Sequence, residues 1–391
     1  AVPDQMLKKS LHVLWLLLVA LLVLIAVALT AARVWIPEAS VYRGEVERTA
    51  SELLNKRVTI GRMRASWRAT NPVIRLGNVE VSDPAGEHAP LVIREVRVTI
   101  DAEQYLSQQK IRLAGIDVIG ADVTVLRDTD GAVFLEGFRP DEDSEFLTEL
   151  LQMALSVHDV NVTYEDQLTE DPPQRFSSVS MSLRSQGETH TLTGHVLLPE
   201  QVGYRADVEA VLHGPGGYLQ DWQGRVYLKG KSIALTEVLG RLLTDDQVVE
   251  GVADLRLWFS IGNDGLDSLS GEIDTESLTI SQHGEKRSYT FAADALRGQF
   301  GWRHYGEGWQ FAVQNVLVRQ QQGSWTTPNL SLAGRQDDQG LSISGESSLL
   351  VLDGFGALLP IIPGLSVEHR QLLGGLQPSG SIKDLVFSIS S

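Results

Sequence analysis

The chain has 391 residues, no cysteine and a net charge of −17 that results from 33 basic and 50 acidic residues. The absence of cysteine excludes disulfide frameworks, zinc ribbons and thiol chemistry. The acidic balance argues against nucleic acid as a partner and against broad adhesion to an anionic lipid surface, since both require a basic surface. With 43% hydrophobic residues and 36 glycines, the chain is long enough to bury a large core.

The first predicted element is an apolar segment near the start of the chain. From Leu11 to Ala32 there are 22 residues, of which only His12 and Thr30 are polar. About 20 apolar residues span the hydrocarbon core of a bilayer, whereas the apolar part of a signal peptide has about 7–15. The segment therefore predicts a retained transmembrane helix rather than a cleaved signal peptide. The residues expected to anchor it are Leu11, Trp15, Leu22, Ile25 and Trp35.

The charges on either side of this segment do not fix its orientation. Lys8 and Lys9 precede it, and three arginines follow it within the next 16 residues. Long domains are translocated largely regardless of their charge. We therefore predict a short cytoplasmic tail over residues 1–10, a single transmembrane anchor over residues 11–35, and a main body exported from the cytoplasm.

One amphipathic helix follows the anchor, and the period of the sequence then changes to two. Ser40 can cap this helix, which should end near Asn55. Beyond it, apolar and polar residues alternate, which indicates antiparallel strands with one apolar and one polar face. The clearest alternating stretches are residues 96–101, 160–165, 206–210, 254–261, 310–313, 341–344 and 385–389. Turn signals lie at residues 83–86, 130–131, 214–217, 263–265 and 337–340.

Few further helices are predicted. They cover Ser144 to Leu155, about Ala234 to Leu243, and one or two segments between Leu349 and Leu376. These helices are too few to cover both faces of so much sheet, which argues against a βαβ architecture. The sequence therefore predicts a mainly β fold, a long meander of hairpins. Because a strand pattern continues to the last residues, we expect the 391 residues to be the first part of a longer protein.

No motif of a familiar enzyme class is present. The sequence lacks the GxxxxGK[ST], HExxH and GxSxG patterns. Residues 128–131, DTDG, begin like a calcium loop, but their glycine stands at the fourth position rather than the sixth, so a hairpin turn explains them better. His190 and His195 are five residues apart in a strand pattern and should point to opposite faces. We therefore predict a protein that is not an enzyme and that carries no metal or cofactor.

Three stretches resemble a known family. Residues 53–83 read LLNKRVTIGRMRASWRATNPVIRLGNVEVSD and resemble the start of AsmA-like proteins of Gram-negative bacteria. The residues that match are Val58, Ile60, Gly61, Trp67, Pro72, Leu76, Asn78, Val79, Val81 and Asp83. Residues 110–138 look like the next unit of that family, with Arg127, Asp128 and Gly131 at its hairpin. Residues 355–387 are similar to the helix-then-strand joint of the YhdP branch, although Gly374 and Gly375 replace a bulkier helix end.

The resemblance implies a bridge-like lipid transporter. Such a protein is anchored in the bacterial inner membrane by one span and crosses the periplasm as a long, curved antiparallel sheet. Its apolar groove shelters acyl chains while the headgroups stay in water. Phospholipid is then the implied cargo, and the outer membrane would be reached through a part of the protein beyond residue 391. Protein partners are left open.

The resemblance also implies a division of the body. An N-terminal AsmA-like helix and first β unit would cover residues 36–140, and further groove units would cover residues 141–391. The residues predicted to line the groove are Val96, Val98 and Ile100 on one strand, and Leu255, Leu257 and Phe259 on another. The alternative is a membrane-anchored periplasmic scaffold for envelope biogenesis. In that protein the same apolar faces would be sealed inside a closed β core.

Overall fold

The fold is known from a computed structural model. It describes residues 40–84, 89–103, 112–129, 133–137, 153–169, 171–215, 222–240, 243, 246–263, 265–283, 288–306, 308–321, 323–337, 340–352, 358–361, 372, 375 and 378–390. Within these ranges the chain forms 18 strands and three short helices, so the predicted mainly β fold with few helices is confirmed. The predicted anchor, residues 11–35, lies outside the described residues.

The helices are α1 (Arg43–Leu54), α2 (Leu235–Leu239) and a 3-10 helix (Leu359–Ile361). The strands are β1 (Arg57–Arg68), β2 (Asn71–Ser82), β3 (Leu91–Ile100), β4 (Leu113–Arg127), β5 (Val133–Leu135), β6 (Ala154–Asp166), β7 (Gln174–Gln186), β8 (Thr189–Leu197), β9 (Arg205–His213), β10 (Gln223–Ala234), β11 (Gln247–Gly262), β12 (Gly265–Gln282), β13 (Tyr289–Ala293), β14 (Ala295–Tyr305), β15 (Gly308–Gln320), β16 (Gly323–Asp337), β17 (Gly340–Val351) and β18 (Ser381–Ser390).

The chain divides into two compact units, residues 1–123 and residues 124–391, and the division falls within β4. In the first unit β1 to β4 pair in chain order. In the second unit β6 to β12 pair in chain order, β12 then pairs with both β13 and β14, and β14 to β18 continue the order. All of these pairs are antiparallel, which confirms the predicted repeating hairpins.

Helix α1 lies against the first strand of the first unit. The Val58 N–H donates to Ser51 Oγ at 2.9 Å, and the Ile60 N–H donates to Glu47 Oε1 at 2.7 Å. Two side chains of α1 thus satisfy backbone donors of β1 that do not pair with β2. The prediction that Ser40 caps α1 is wrong, because residues 40–42 form a 3-10 turn and the helix begins only at Arg43, without a side-chain cap.

Several long strands carry a bulge. There one residue adopts a left-handed conformation, which shifts the alternation of inward and outward side chains by one. In the second unit these residues are Asp159, Ser178, Ser232, Asn315 and Asp384, with φ between 50° and 53°. A polar side chain on a paired strand satisfies several of the displaced amides. The Ser232 N–H, for example, donates to Asp254 Oδ1 at 2.8 Å.

The closed core of the second unit lies under α2 and the 3-10 helix. Its buried members are Leu235, Val249, Ala253, Leu278, Phe291, Ala293, Val318 and Ile361. The long connection between β17 and β18 is fixed here, because Gln247 Nε2 donates to the Ile361 carbonyl at 2.9 Å and Pro360 is fully buried. This connection contains the 3-10 helix, which lies in the helical region predicted between Leu349 and Leu376. Residues 349–351 of that region belong to β17 instead.

Two other helix predictions need correction. The helix predicted from Ala234 to Leu243 is present but shorter, since α2 ends at Leu239. The helix predicted from Ser144 to Leu155 is wrong at its end, because Ala154 and Leu155 belong to β6, where Leu155 pairs with Leu183. Cross-strand pairing overrides the helical spacing at these two residues. Residues 144–152 lie outside the described residues.

Candidate functional site

A row of apolar residues crosses the strands of the second unit. Each residue lies directly opposite the next one on the neighbouring strand, so all of the side chains share one face of the sheet. This first apolar row consists of Leu155, Leu183, Leu192, Ala210, Val226, Phe259, Leu269, Trp302, Phe311, Leu332, Gly345 and Phe387. No polar side chain interrupts the row from β6 to β18.

A second apolar row runs beside the first on the same face. It consists of Met181, Gly194, Val208, Leu228, Leu257, Gly271, Phe300, Val313 and Leu330. The glycines make room for the large side chains. A Cβ on Gly271 would lie 2.6 Å from the Phe300 ring and 2.8 Å from Leu257 Cδ2, so these two side chains already occupy the space above the glycine. The apolar surface is therefore continuous across Gly271.

The opposite face of the same strands is polar. Residues that alternate with the two rows include Arg256, Glu272, Asp274 and Arg297. Arg256 Nη1 lies 2.8 Å from Glu272 Oε2, and Arg297 Nε lies 2.8 Å from Asp274 Oδ1. Exposed ion pairs of this kind add little stability, but they keep this face soluble. The second unit thus has one apolar and one polar face, which is the arrangement that the alternating pattern predicts.

The apolar rows are only half-buried. Leu255, Leu257 and Phe259, the predicted groove residues of β11, all retain partial exposure to solvent. Val249 points to the same face of the same strand but is 3% exposed, because α2 and the 3-10 helix cover that end. The face is therefore closed at one end of β11 and accessible at the other.

An open apolar trough lies on the same face at β6 to β10. Its volume is about 280 Å³, and Phe176, Val179, Met181, Val208 and Leu228 are among its lining residues. Met181 is 38% exposed although its strand neighbours on this face are apolar. A trough of this volume is at the lower end of the range for small-ligand sites.

The predicted groove residues of β3 lie on the apolar face of the first unit. Val96 stands between Leu76 and Val118 on the neighbouring strands, and Val98 stands between Ile74 and Ile116. Val96, Val98 and Ile100 are half-buried. Their role in lipid binding stays a prediction, as does that of Leu255, Leu257 and Phe259.

The sequence reasoning missed most of the rows. Phe300, Trp302, Phe311 and Phe387 were not among the predicted groove residues. Phe311 and Phe387 lie in stretches that were predicted as strands, and residues 299–303 alternate in the same way. The sequence reasoning also missed the glycines that accommodate these rings. The alternation could have identified the face of each aromatic residue, but not the partner opposite it, because the partner depends on strand register.

The YhdP protein family matches residues 5–391 of the chain. The chain belongs to the YhdP family. A curated relative is the intermembrane phospholipid transporter YhdP of Escherichia coli strain K12, which is 22% identical over 387 residues. The alignment covers 95% of this chain and 29% of that protein, so the chain spans less than a third of its relative's length. The predicted resemblance to the YhdP branch is confirmed.

Histidine and carboxylate side chains are the residues of this YhdP-family chain that could form a metal site instead. Within the described ranges there is no group of three or more such residues that could hold a metal ion. His190 and His195 lie on opposite faces of β8, as predicted. His190 is fully buried, stacks on Trp222 at 3.8 Å between ring centroids, and donates from Nε2 to the Gly214 carbonyl at 3.0 Å. Trp222 thus covers the His190 ring at the beginning of β8.

Asp166 is a buried carboxylate at the end of β6. Burial by itself would raise the pKa of its carboxyl group. The Leu168 N–H, which donates at 3.0 Å, and Arg127, which donates at 3.3 Å, outweigh burial and hold the pKa below its ordinary 3.8. Tyr164 adds a smaller contribution in the same direction through its hydroxyl group. Arg127, which the family resemblance placed at a hairpin, thus ties β4 to the end of β6.

In the part of the chain that the structure describes, no helix has both the length and the apolar character needed to cross a membrane.

Proposed function

We propose that this chain is a segment of a bridge-like phospholipid transporter and that its two apolar rows shelter acyl chains. The observation that carries the proposal is the first apolar row, which continues over twelve paired strands and stays partly exposed at Phe259, as the second row does at Leu257. Membership of the YhdP family and similarity to an intermembrane phospholipid transporter support it. The chain would act by binding rather than by catalysis, with phospholipid as its ligand and without a cofactor.

The dimensions of the face suit acyl chains. Eleven steps between strands of about 4.8 Å give a path of roughly 50 Å along the sheet, which is longer than one acyl chain. Each methylene group removed from water contributes about 0.8 kcal/mol, so a half-covered chain gains several kcal/mol in total. The face offers no polar group along the first apolar row that would hold a chain at one point. A lipid can therefore move along the row at little cost.

The location of the chain is part of the proposal. The apolar segment from Leu11 to Ala32 would be a single-pass anchor in the inner membrane, and residues after Trp35 would lie in the periplasm. A reporter that is active only in the cytoplasm, fused after Leu54, should then be silent. Activity of that reporter, or a mature N-terminus found by sequencing near Ala31, would contradict the anchored topology.

The lipid content of the purified protein tests the function. Leu257→Asp places a carboxylate in the second apolar row, where hydrocarbon must pass, and should strongly reduce the phospholipid that lipid mass spectrometry detects. Ser260→Asp places the same charge on the same strand but on the polar face, and it should retain the wild-type lipid content. Equal lipid content in both variants, or no phospholipid in the wild type, would reject the proposal.

The closed-core scaffold remains the alternative that this experiment separates. A scaffold with a sealed core would hold no lipid, and Leu257→Asp would unfold it. The half-exposed state of Leu255, Leu257 and Phe259 favours the transporter over the scaffold, because a sealed core would leave these side chains as inaccessible as Val249.

A further inference from the structure

The polar face of the second unit carries a pocket of its own. It has a volume of about 310 Å³ and lies on β11, β12, β14 and β15. The side chains that line it include Trp258, Glu272, Gln299, Ala312 and Gln314. All five alternate with residues of the apolar rows, so these side chains lie on the side of the sheet opposite to the proposed lipid path. Gly271 and Phe300 of the second apolar row also border this Trp258 pocket.

One wall of the pocket is an exposed tryptophan. Trp258 is 41% exposed, although its neighbours Arg256 and Ser260 on the same face of β11 are polar. The Tyr227 ring on the adjacent strand supports it at 5.3 Å between centroids, with the rings tilted by 36°. A large aromatic side chain that stays exposed on a polar face has an apolar surface available to a ligand.

The floor of the pocket consists of small residues in register. Trp258 lies opposite Ser270, Ser270 lies opposite Gly301, and Gly301 lies opposite Ala312. Ala312 in turn lies opposite Ser331 on β16. No heavy atom lies within 4 Å of the position that a Cβ on Gly301 would take. Ser270, Gly301 and Ala312, which line the pocket, therefore leave a shallow channel across about 10 Å of sheet, which is the length of a disaccharide.

The rim of the pocket is polar but carries little free charge. Glu272 is the only charged residue among the described residues that line it. Both of its oxygens are engaged, because Arg256 Nη1 donates to Oε2 at 2.8 Å and Gln299 Nε2 donates to Oε1 at 3.1 Å. The network holds the Gln299 amide in a fixed orientation, and the Gln314 amide lies beside it on β15. Two planar amides thus border the channel.

We propose that the Trp258 pocket binds a neutral saccharide chain. The indole face of Trp258 suits the apolar C–H face of a pyranose ring, and the amides of Gln299 and Gln314 suit hydroxyl and acetamido groups, which both donate and accept hydrogen bonds. A free anion would meet the Glu272 carboxylate, and a cation would meet the Arg256 guanidinium. A purely apolar ligand would find a larger apolar surface on the opposite face.

Calorimetric titration of the full chain with chitotetraose, a β-1,4-linked tetramer of N-acetylglucosamine, tests the proposal. The wild type should bind it, and Trp258→Ala should bind about tenfold more weakly, as loss of one large aromatic contact implies. Gly301→Leu should abolish binding, because its side chain fills the open floor without meeting a neighbour. Tyr305→Ala removes another exposed aromatic residue, outside the pocket, and should bind like the wild type.

The outcomes separate a binding site from a merely structural role of Trp258. If Trp258 only stabilises the sheet through Tyr227, Trp258→Ala lowers the melting temperature while Gly301→Leu binds chitotetraose as the wild type does. That result, or a wild type that does not bind chitotetraose, overturns the proposal. Since the pocket lies opposite the apolar rows, Gly301→Leu should leave the phospholipid content unchanged, and a parallel loss of lipid would also count against a separate site.

Discussion

Two aspartate substitutions on one strand should have very different effects on stability. Val249 and Leu257 both lie on β11 and point to the same face, eight residues apart. Val249 is 3% exposed and packs in the closed core with Leu235 and Phe291. Leu257 is half-buried and lies in the second apolar row between Leu228 and Gly271. Val249→Asp and Leu257→Asp therefore test whether the apolar face is closed at one end and open at the other.

The expected magnitudes follow from burial. At position 257 the loss of a half-buried leucine costs about 1–2 kcal/mol, and the new carboxylate can still reach water. At position 249 the lost apolar contact adds to the cost of an unpaired buried carboxylate, and together they reach about 5 kcal/mol or more. For a unit of this size each kcal/mol lowers the melting temperature by about 2–4 °C. We therefore expect a decrease of about 4 °C for Leu257→Asp and of more than about 10 °C for Val249→Asp.

Thermal unfolding followed by circular dichroism measures the difference. Val249→Ala and Leu257→Ala serve as size controls, so that the effect of charge is separated from the effect of lost volume. Each aspartate variant is compared with its own alanine control. If the melting temperature falls by the same amount at both positions, the face is not closed at one end and open at the other. The same conclusion follows if Leu257→Asp does not fold.

Three further changes test individual contacts. Glu47→Ala removes the acceptor of the Ile60 N–H, so it should cost about 1–2 kcal/mol, speed amide exchange at Ile60 and promote concentration-dependent association in sedimentation experiments. Gly271→Val places a Cβ 2.6 Å from the Phe300 ring, and overpacking should cost about 1–3 kcal/mol in denaturant unfolding. Because the pKa of Asp166 is lowered in the folded state, its ionised form stabilises the fold above about pH 4, and this stability is lost as the pH falls through the folded pKa. Asp166→Asn should therefore reduce the loss of melting temperature on acidification, and an unchanged pH profile would contradict the assignment.

Sequence alternation predicted the strands well because it reflects the two faces of the sheet directly. Residues 96–101 and 254–261 fall almost entirely within β3 and β11. Apolar and polar residues alternate because the two faces of a strand lie in different environments. The type of fold could thus be predicted from the chain alone.

The bulges could not be predicted with the same reasoning. In β1 the buried positions Val58 and Ile60 are followed by Met63, so the alternation slips by one residue near Gly61. In β2 the corresponding slip falls at Asn78, with φ of 53°. A slip of one position breaks a period-two pattern and shortens the stretch that can be recognised. Slips that coincide with Gly, Asn, Asp or Ser are the signal that could have located them.

The apolar rows depend on strand register, which the sequence does not give directly. The sequence placed Leu255, Leu257 and Phe259 on one face, but the alignment of Phe259 with Val226 and Leu269 follows from hairpin geometry and bulges. The prediction of a helix as far as Leu155 was wrong for a related reason. An apolar run fits a helical stripe and a strand equally well until its pairing partner is known.

Site-specific photo-crosslinking in cells tests the central claim most directly. A photoreactive amino acid at Leu257 or at Phe311 lies in an apolar row, whereas the same probe at Arg256 or at Gln310 lies on the polar face of the same strands. The account predicts phospholipid adducts, identified by mass spectrometry, at Leu257 and Phe311 and none at Arg256 and Gln310. Equal capture on both faces, or no capture at Leu257 and Phe311 in a folded protein, would contradict it.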